Sequence, residues 1–139
     1  MIIYAESSAI LAWLVGEPAG DRVRKALAGA ETVVSSAVTA VECARGLSRA
    51  RAGKRLTAAG ELAALRLLDV AESSWNVHLI TDEVLRRARA RFPVEPVRTL
   101  DAIHLATAAL FRDALGPITM LSWDERVRSN AEALGLDLL

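Results

Sequence analysis

Four carboxylates stand at positions from which they could meet: Glu6, Glu42, Asp101 and Asp124. Glu6 follows the apolar run Ile2-Ile3-Tyr4, and Asp124 follows Ile118–Leu121. Asp101 enters the first turn of the stretch Arg98–Leu110, and Glu42 stands beside Val41 and Cys43. Acids beside a core are seldom left unpaired. Brought together, four of them would repel, and some would have to hold protons at neutral pH. A hard divalent cation removes that conflict, because Mg²⁺ or Mn²⁺ takes oxygen ligands in octahedral geometry and keeps several waters. Such a centre supports hydrolysis of a phosphodiester: the ion acidifies and orients a bound water and neutralises charge on the phosphate. Each acid also has an ordinary role open to it. Asp101 suits the positive end of a helix dipole and has Arg98 within reach. Glu42 has Arg45 at i+3, a pairing worth only about 0.2–0.5 kcal/mol.

The elements that must position these acids follow from the apolar pattern. Ile2–Tyr4 reads as a buried strand. Ser7 and Ser8 then read as N-caps of a helix carrying Ile10, Trp13 and Leu14. Gly16–Gly20 is a breaker cluster, followed by a helix with Val23, Ala26 and Leu27 inward. Thr32–Ser35 is a β-branched second strand. A helix from about Ala37 to Arg51 shows Val38, Val41, Ala44 and Leu47 as its apolar stripe, and another carries Leu62, Leu65 and Leu68. Val77, Leu79 and Ile80 suggest a third strand. Asp82 is expected to cap a helix with Leu85, Ala88 and Phe92 on one side, ended by Pro93 and Pro96. Leu100, Ile103, Thr107 and Leu110 mark a long buried helix that Gly116-Pro117 breaks. Ile118–Leu121 is a fourth strand, Asp124 caps a last helix, and Gly135–Leu139 is a candidate edge strand.

Strands alternate with connections of helical length, the signature of a parallel sheet covered on both faces. The expectation is an α/β/α sandwich with a central, mainly parallel sheet of four to five strands, and one domain over residues 1–139. In such sheets ligands bind outside the carboxyl ends of the strands. Glu6 and Asp124 fall there, and Asp101 and Glu42 could converge on the same end.

Composition narrows the function classes. With 17 basic and 17 acidic residues the formal net charge is zero, so no global basic field announces nucleic acid. Only Lys25 and Lys54 are lysines; the other basic residues are arginines, whose forks suit phosphate or carboxylate. The single Cys43 excludes an intramolecular disulfide and a cysteine zinc cluster, and reads as a small buried hydrophobe. No apolar run approaches a membrane span and no signal-like core opens the chain, so a soluble cytoplasmic protein is the expectation. His104, at i+3 from Asp101, reads as a satisfied core histidine, with a base or ligand role as the alternative. Trp13, Trp75 and Trp123 are too scattered for a base-stacking platform. Arg45, Arg49 and Arg51 read as a solvated helix face that phosphates or a protein partner could use.

Tyr4–Leu14, Val41-Glu42, Arg98–Ala108 and Leu121–Arg126 together resemble the PIN domain, and most of all the VapC toxins of bacterial toxin–antitoxin pairs. The resemblance runs through the whole chain in order, and Leu100–Ala108 is its most specific piece. It implies a Mg²⁺- or Mn²⁺-dependent ribonuclease, a VapB-type antitoxin that blocks the site, and a homodimer. Carried over residue by residue, the catalytic and metal-holding acids fall on Glu6, Glu42, Asp101 and Asp124. Ser7, Ser8, Thr99 and Ser122 would be hydroxyls that orient them. One position departs from the family: its first acid is normally Asp, and here it is Glu6. The extra methylene moves the carboxylate outward by about 1.5 Å. That keeps a second function class in view, a PIN-like module that binds RNA or a partner through an impaired metal site.

Overall fold

The computed structural model describes residues 1–139. Five strands form one sheet in the order β3-β2-β1-β4-β5: β1 Ile2–Ala5, β2 Thr32–Ser36, β3 Asn76–His78, β4 Ile118–Leu121 and β5 Asp137–Leu138. Every pairing is parallel, including the edge strand β5. The seven helices are α1 Ser7–Leu14, α2 Gly20–Gly29, α3 Val38–Ala52, α4 Ala58–Glu72, α5 Asp82–Ala88, α6 Thr99–Leu115 and α7 Glu125–Ala133.

Alternation along the strands splits the core in two. Ile3, Ala5, Val33 and Leu121 point to one face and meet Ile10, Val23, Cys43, Leu47 and Leu68 of the first four helices. Tyr4, Val34, Ile118 and Met120 point to the other, against Leu105 and Ala108 of α6 and Val127 and Ala131 of α7. α5 packs on the outer side of α6 through Val84, Ile103 and Ala106. The architecture is therefore the expected α/β/α sandwich. α1 and α2 approach so closely that a Cβ on Gly20 would lie 2.8 Å from the Cα of Trp13.

The chain leaves β1 toward β2 and β3 and later returns to the other side of β1 as β4. The strand order thus reverses between β1 and β4, and the crevice at such a point is where open α/β sheets bind ligands.

Several local expectations need correction. The N-cap of α1 is Glu6, whose carboxylate accepts from the Ser8 amide; Ser7 and Ser8 are the first helical residues. The N-cap of α5 is Thr81 rather than Asp82, because the Thr81 hydroxyl reaches the Val84 amide. α5 ends at Ala88, ahead of both prolines, and Leu85 on it is exposed. β3 is shorter than expected: Leu79 and Ile80 lie beyond it and are exposed. On α3 the buried positions are Thr39, Cys43, Gly46, Leu47 and Ala50, so Val41 faces outward. Leu62 and Leu100 are likewise exposed. In each helix an apolar residue lies just outside the buried stripe, and on α3 small residues such as Gly46 and Ala50 fill that stripe instead.

The segment between α5 and α6 is tied down. Asn130 of α7 accepts from the Val94 amide (2.9 Å) and donates to the Val94 carbonyl (2.8 Å). Glu95 accepts from the amides of Phe92 and Val97, which holds its carboxyl below the usual range. The loop that delivers Arg98 to the start of α6 is thereby fixed in place.

Candidate active site

Glu6, Glu42, Asp101 and Asp124 line one cavity of about 190 Å³, together with Ser7, Ser8, Leu11, Arg49 and Arg98. It opens at the carboxyl ends of β1 and β4, where the strand order reverses. A shallower hollow of about 420 Å³, bordered by Val94, Pro96, Arg126 and Ser129, shares the wall formed by Asp124.

Glu6 is the most deeply placed of the four, with 3% of its surface exposed. Its Oε1 accepts from the Ser7 hydroxyl at 2.8 Å. Its Oε2 accepts from the Ser8 amide at 3.1 Å, from the Ser122 hydroxyl at 2.7 Å, and from the Ser8 hydroxyl. A buried carboxylate is tolerable only with such donors. The Ser8 Oγ also accepts from the amides of Trp123 and Asp124, at 2.9 and 3.2 Å. The serines thus link the end of β1 to the end of β4. The longer Glu6 side chain serves at once as helix cap and as the centre of this cradle.

Glu42 reaches the cavity from the second turn of α3. Its Oε1 lies 2.5 Å from Nε2 of His104, and Nδ1 of His104 lies 2.9 Å from the Tyr4 hydroxyl. With its proton on Nε2, the ring donates to Glu42 and accepts from Tyr4. His104 is fully buried on α6, with Tyr4 edge-on to it. Burial, then the nearby Glu6, push the Tyr4 phenol well above its ordinary value, so it stands as a hydroxyl donor. His104 is therefore a satisfied core histidine that also holds an acid of the cavity.

Asp101 and Asp124 share one partner. Arg98 donates from Nε to Oδ2 of Asp101 and from Nη2 to Oδ2 of Asp124, both at 3.0 Å. The two carboxylates draw the Arg98 guanidinium further above its usual pKa, Asp101 more than Asp124. Oδ1 of Asp124 accepts from the amides of Arg126 and Val127, capping α7.

The placement of the expected hydroxyls is uneven. Ser7, Ser8 and Ser122 all bond to Glu6. Thr99 is exposed at the first residue of α6 and bonds to none of the acids; its neighbour Arg98 reaches Asp101 instead. Sequence reasoning gave Arg98 to Asp101 and missed its bond to Asp124. It also missed Tyr4 as the support of His104. The signal available for Tyr4 was only its alternation to the opposite face of β1 from Ile3 and Ala5.

The donor set, all carboxylate oxygen, suits a hard divalent cation. As the side chains stand, no three of these groups converge closely enough to hold an ion. Each acid is already engaged, Glu6 by serines, Glu42 by His104, and the two aspartates by Arg98.

This combination of a five-stranded parallel sheet and acids gathered where its order reverses defines a class, and the chain belongs to the PIN-domain family, whose model matches residues 3–132. It is 37% identical over 142 residues to Ribonuclease VapC46 of Mycobacterium tuberculosis, with 99% of this chain and 95% of that protein covered. It is 34% identical over 138 residues to Ribonuclease VapC35 of the same organism, with 97% and 93% covered. No helix of the structure is long and apolar enough to cross a membrane.

Proposed function

We propose that this protein is a divalent-metal-dependent endoribonuclease and the toxin of a type II toxin–antitoxin pair. The observation that carries the reading is the sharing of one cavity by Glu6, Glu42, Asp101 and Asp124. The similarity to two proteins called ribonucleases supports RNA as the substrate. Mg²⁺ or Mn²⁺ would be held by acids of this set that turn toward it from their present partners, and when bound it supplies an acidified, oriented water for attack on a phosphodiester.

The chain's own residues do the rest. The serine cradle holds the Glu6 side chain in one rotamer. His104 and Tyr4 do the same for Glu42. The cap of α7 fixes Asp124, and the start of α6 fixes Asp101. Arg49 and Arg98, at the edge of the cavity, supply guanidinium groups for RNA phosphates. The partners under this reading are RNA, a VapB-type antitoxin and a second copy of the chain. The protein works in the cytoplasm as one catalytic unit over residues 1–139.

Incubation of labelled RNA with the purified protein tests this. Cleavage with Mg²⁺ or Mn²⁺ and none with EDTA is expected; intact RNA under all conditions contradicts it. The engagement of both aspartates by Arg98 favours a second reading, a PIN-like module that binds RNA or a partner without cutting. RNA retention without cleavage or growth arrest would support that reading.

A further inference from the structure

We propose that Arg98 is the resident counter-ion of the Asp101–Asp124 pair and competes with a divalent cation for it. The inference rests on the metal-dependent reading given above. Arg98 occupies the N-cap of α6 yet makes no capping bond. Its guanidinium instead spans two carboxylates whose sequence positions are 23 residues apart, with one planar donor on each at 3.0 Å. One positive charge then lies between two acids that would otherwise repel.

The fork takes Oδ2 of both aspartates. A cation drawing on those oxygens would compete for the same lone pairs and repel the guanidinium at short range. Ion and guanidinium therefore exclude one another. Exposure decides which group yields. The Arg98 side chain is 62% exposed, against 10% for Asp101 and 21% for Asp124. Arg98 can swing into water about its own bonds. Its backbone stays in place, because Asn130 and Glu95 hold the preceding loop. Once displaced, the fork sits at the mouth of the cavity that Arg49 also lines. There it is available to a phosphate, whose planar, bidentate recognition suits arginine.

The test is Mn²⁺ binding without RNA, by calorimetry and by the electron paramagnetic resonance of free Mn²⁺. The proteins are wild type, Arg98→Met, Arg98→Gln and Asp101→Asn. Both neutral variants at Arg98 should bind Mn²⁺ roughly 2- to 30-fold more tightly than wild type, the range set by releasing the two ion pairs of a solvent-facing arginine. Asp101→Asn should bind more weakly. Equal or weaker Mn²⁺ affinity in both Arg98 variants, with wild type still binding, overturns the inference and leaves the metal site standing. Absence of Mn²⁺ binding in all four proteins overturns the metal reading, and the inference with it.

Discussion

His104 and Glu42, 62 residues apart in sequence, meet at 2.5 Å inside the sandwich, and the same imidazole is braced by the Tyr4 hydroxyl at 2.9 Å. The contact couples α6 to α3 across the end of the sheet. It gives Glu42 a single direction in which to present its carboxylate.

His104→Ala removes the donor to Glu42 and leaves the buried Tyr4 hydroxyl without its partner. We expect cleavage to fall about 10- to 100-fold, the usual cost of losing a group that orients a ligand. His104→Gln, which can still donate to Glu42, should recover part of the rate. Single-turnover cleavage by the two variants checks this; equal rates for His104→Ala and wild type would remove His104 from the account.

Glu6→Gln replaces one oxygen of the cradle with an NH₂ and a charged acceptor with a neutral one, so the hydroxyls of Ser7, Ser8 and Ser122 lose charge-assisted bonds. The expected loss is about 1–3 kcal/mol of stability, measured by urea unfolding. Glu6→Asp keeps a residue type favoured at N-caps, and we expect it to cleave at or above the wild-type rate. Complete loss of cleavage in Glu6→Asp would show that the serine cradle is built around the longer acid.

Cys43 is fully buried, and burial, then Glu42 and Glu6, raise its thiol from 9 to about 12. A thiol whose folded pKa is raised keeps its proton in the fold while the unfolded chain gives it up. Its contribution to stability is therefore complete below pH 9 and diminishes as pH rises toward about 12. Urea midpoints measured from pH 8 to 10.5 should fall, and Cys43→Ser should show a flatter decline over that range. Labelling by a maleimide at pH 8 should be slow in buffer and fast in denaturant.

Much of this was legible in the sequence, for identifiable reasons. Parallel strands buried on both faces read as short apolar runs, and Ile2–Tyr4 and Ile118–Leu121 announced β1 and β4 that way. Asp124 was legible as a cap because short acids prefer that position. Glu6 was not, since glutamate is a rare N-cap and Ser7 and Ser8 beside it are common ones. β3 stops short of Leu79 and Ile80, because apolar residues can follow a strand into an exposed connection. The four acids were legible individually by their places beside strands and helix starts. Two of their partners were not: Arg98 to Asp124 and His104 to Glu42 are contacts between distant elements, which no local spacing encodes.

The central claim is that the four acids form a metal-dependent RNA-cleaving centre, and Asp101→Asn tests it most directly. Its cleavage of labelled RNA in Mg²⁺ or Mn²⁺ is compared with wild type, after circular dichroism shows the two equally folded. We predict robust, EDTA-sensitive cleavage by wild type and background cleavage by the variant. Cleavage by Asp101→Asn at the wild-type rate would contradict the account.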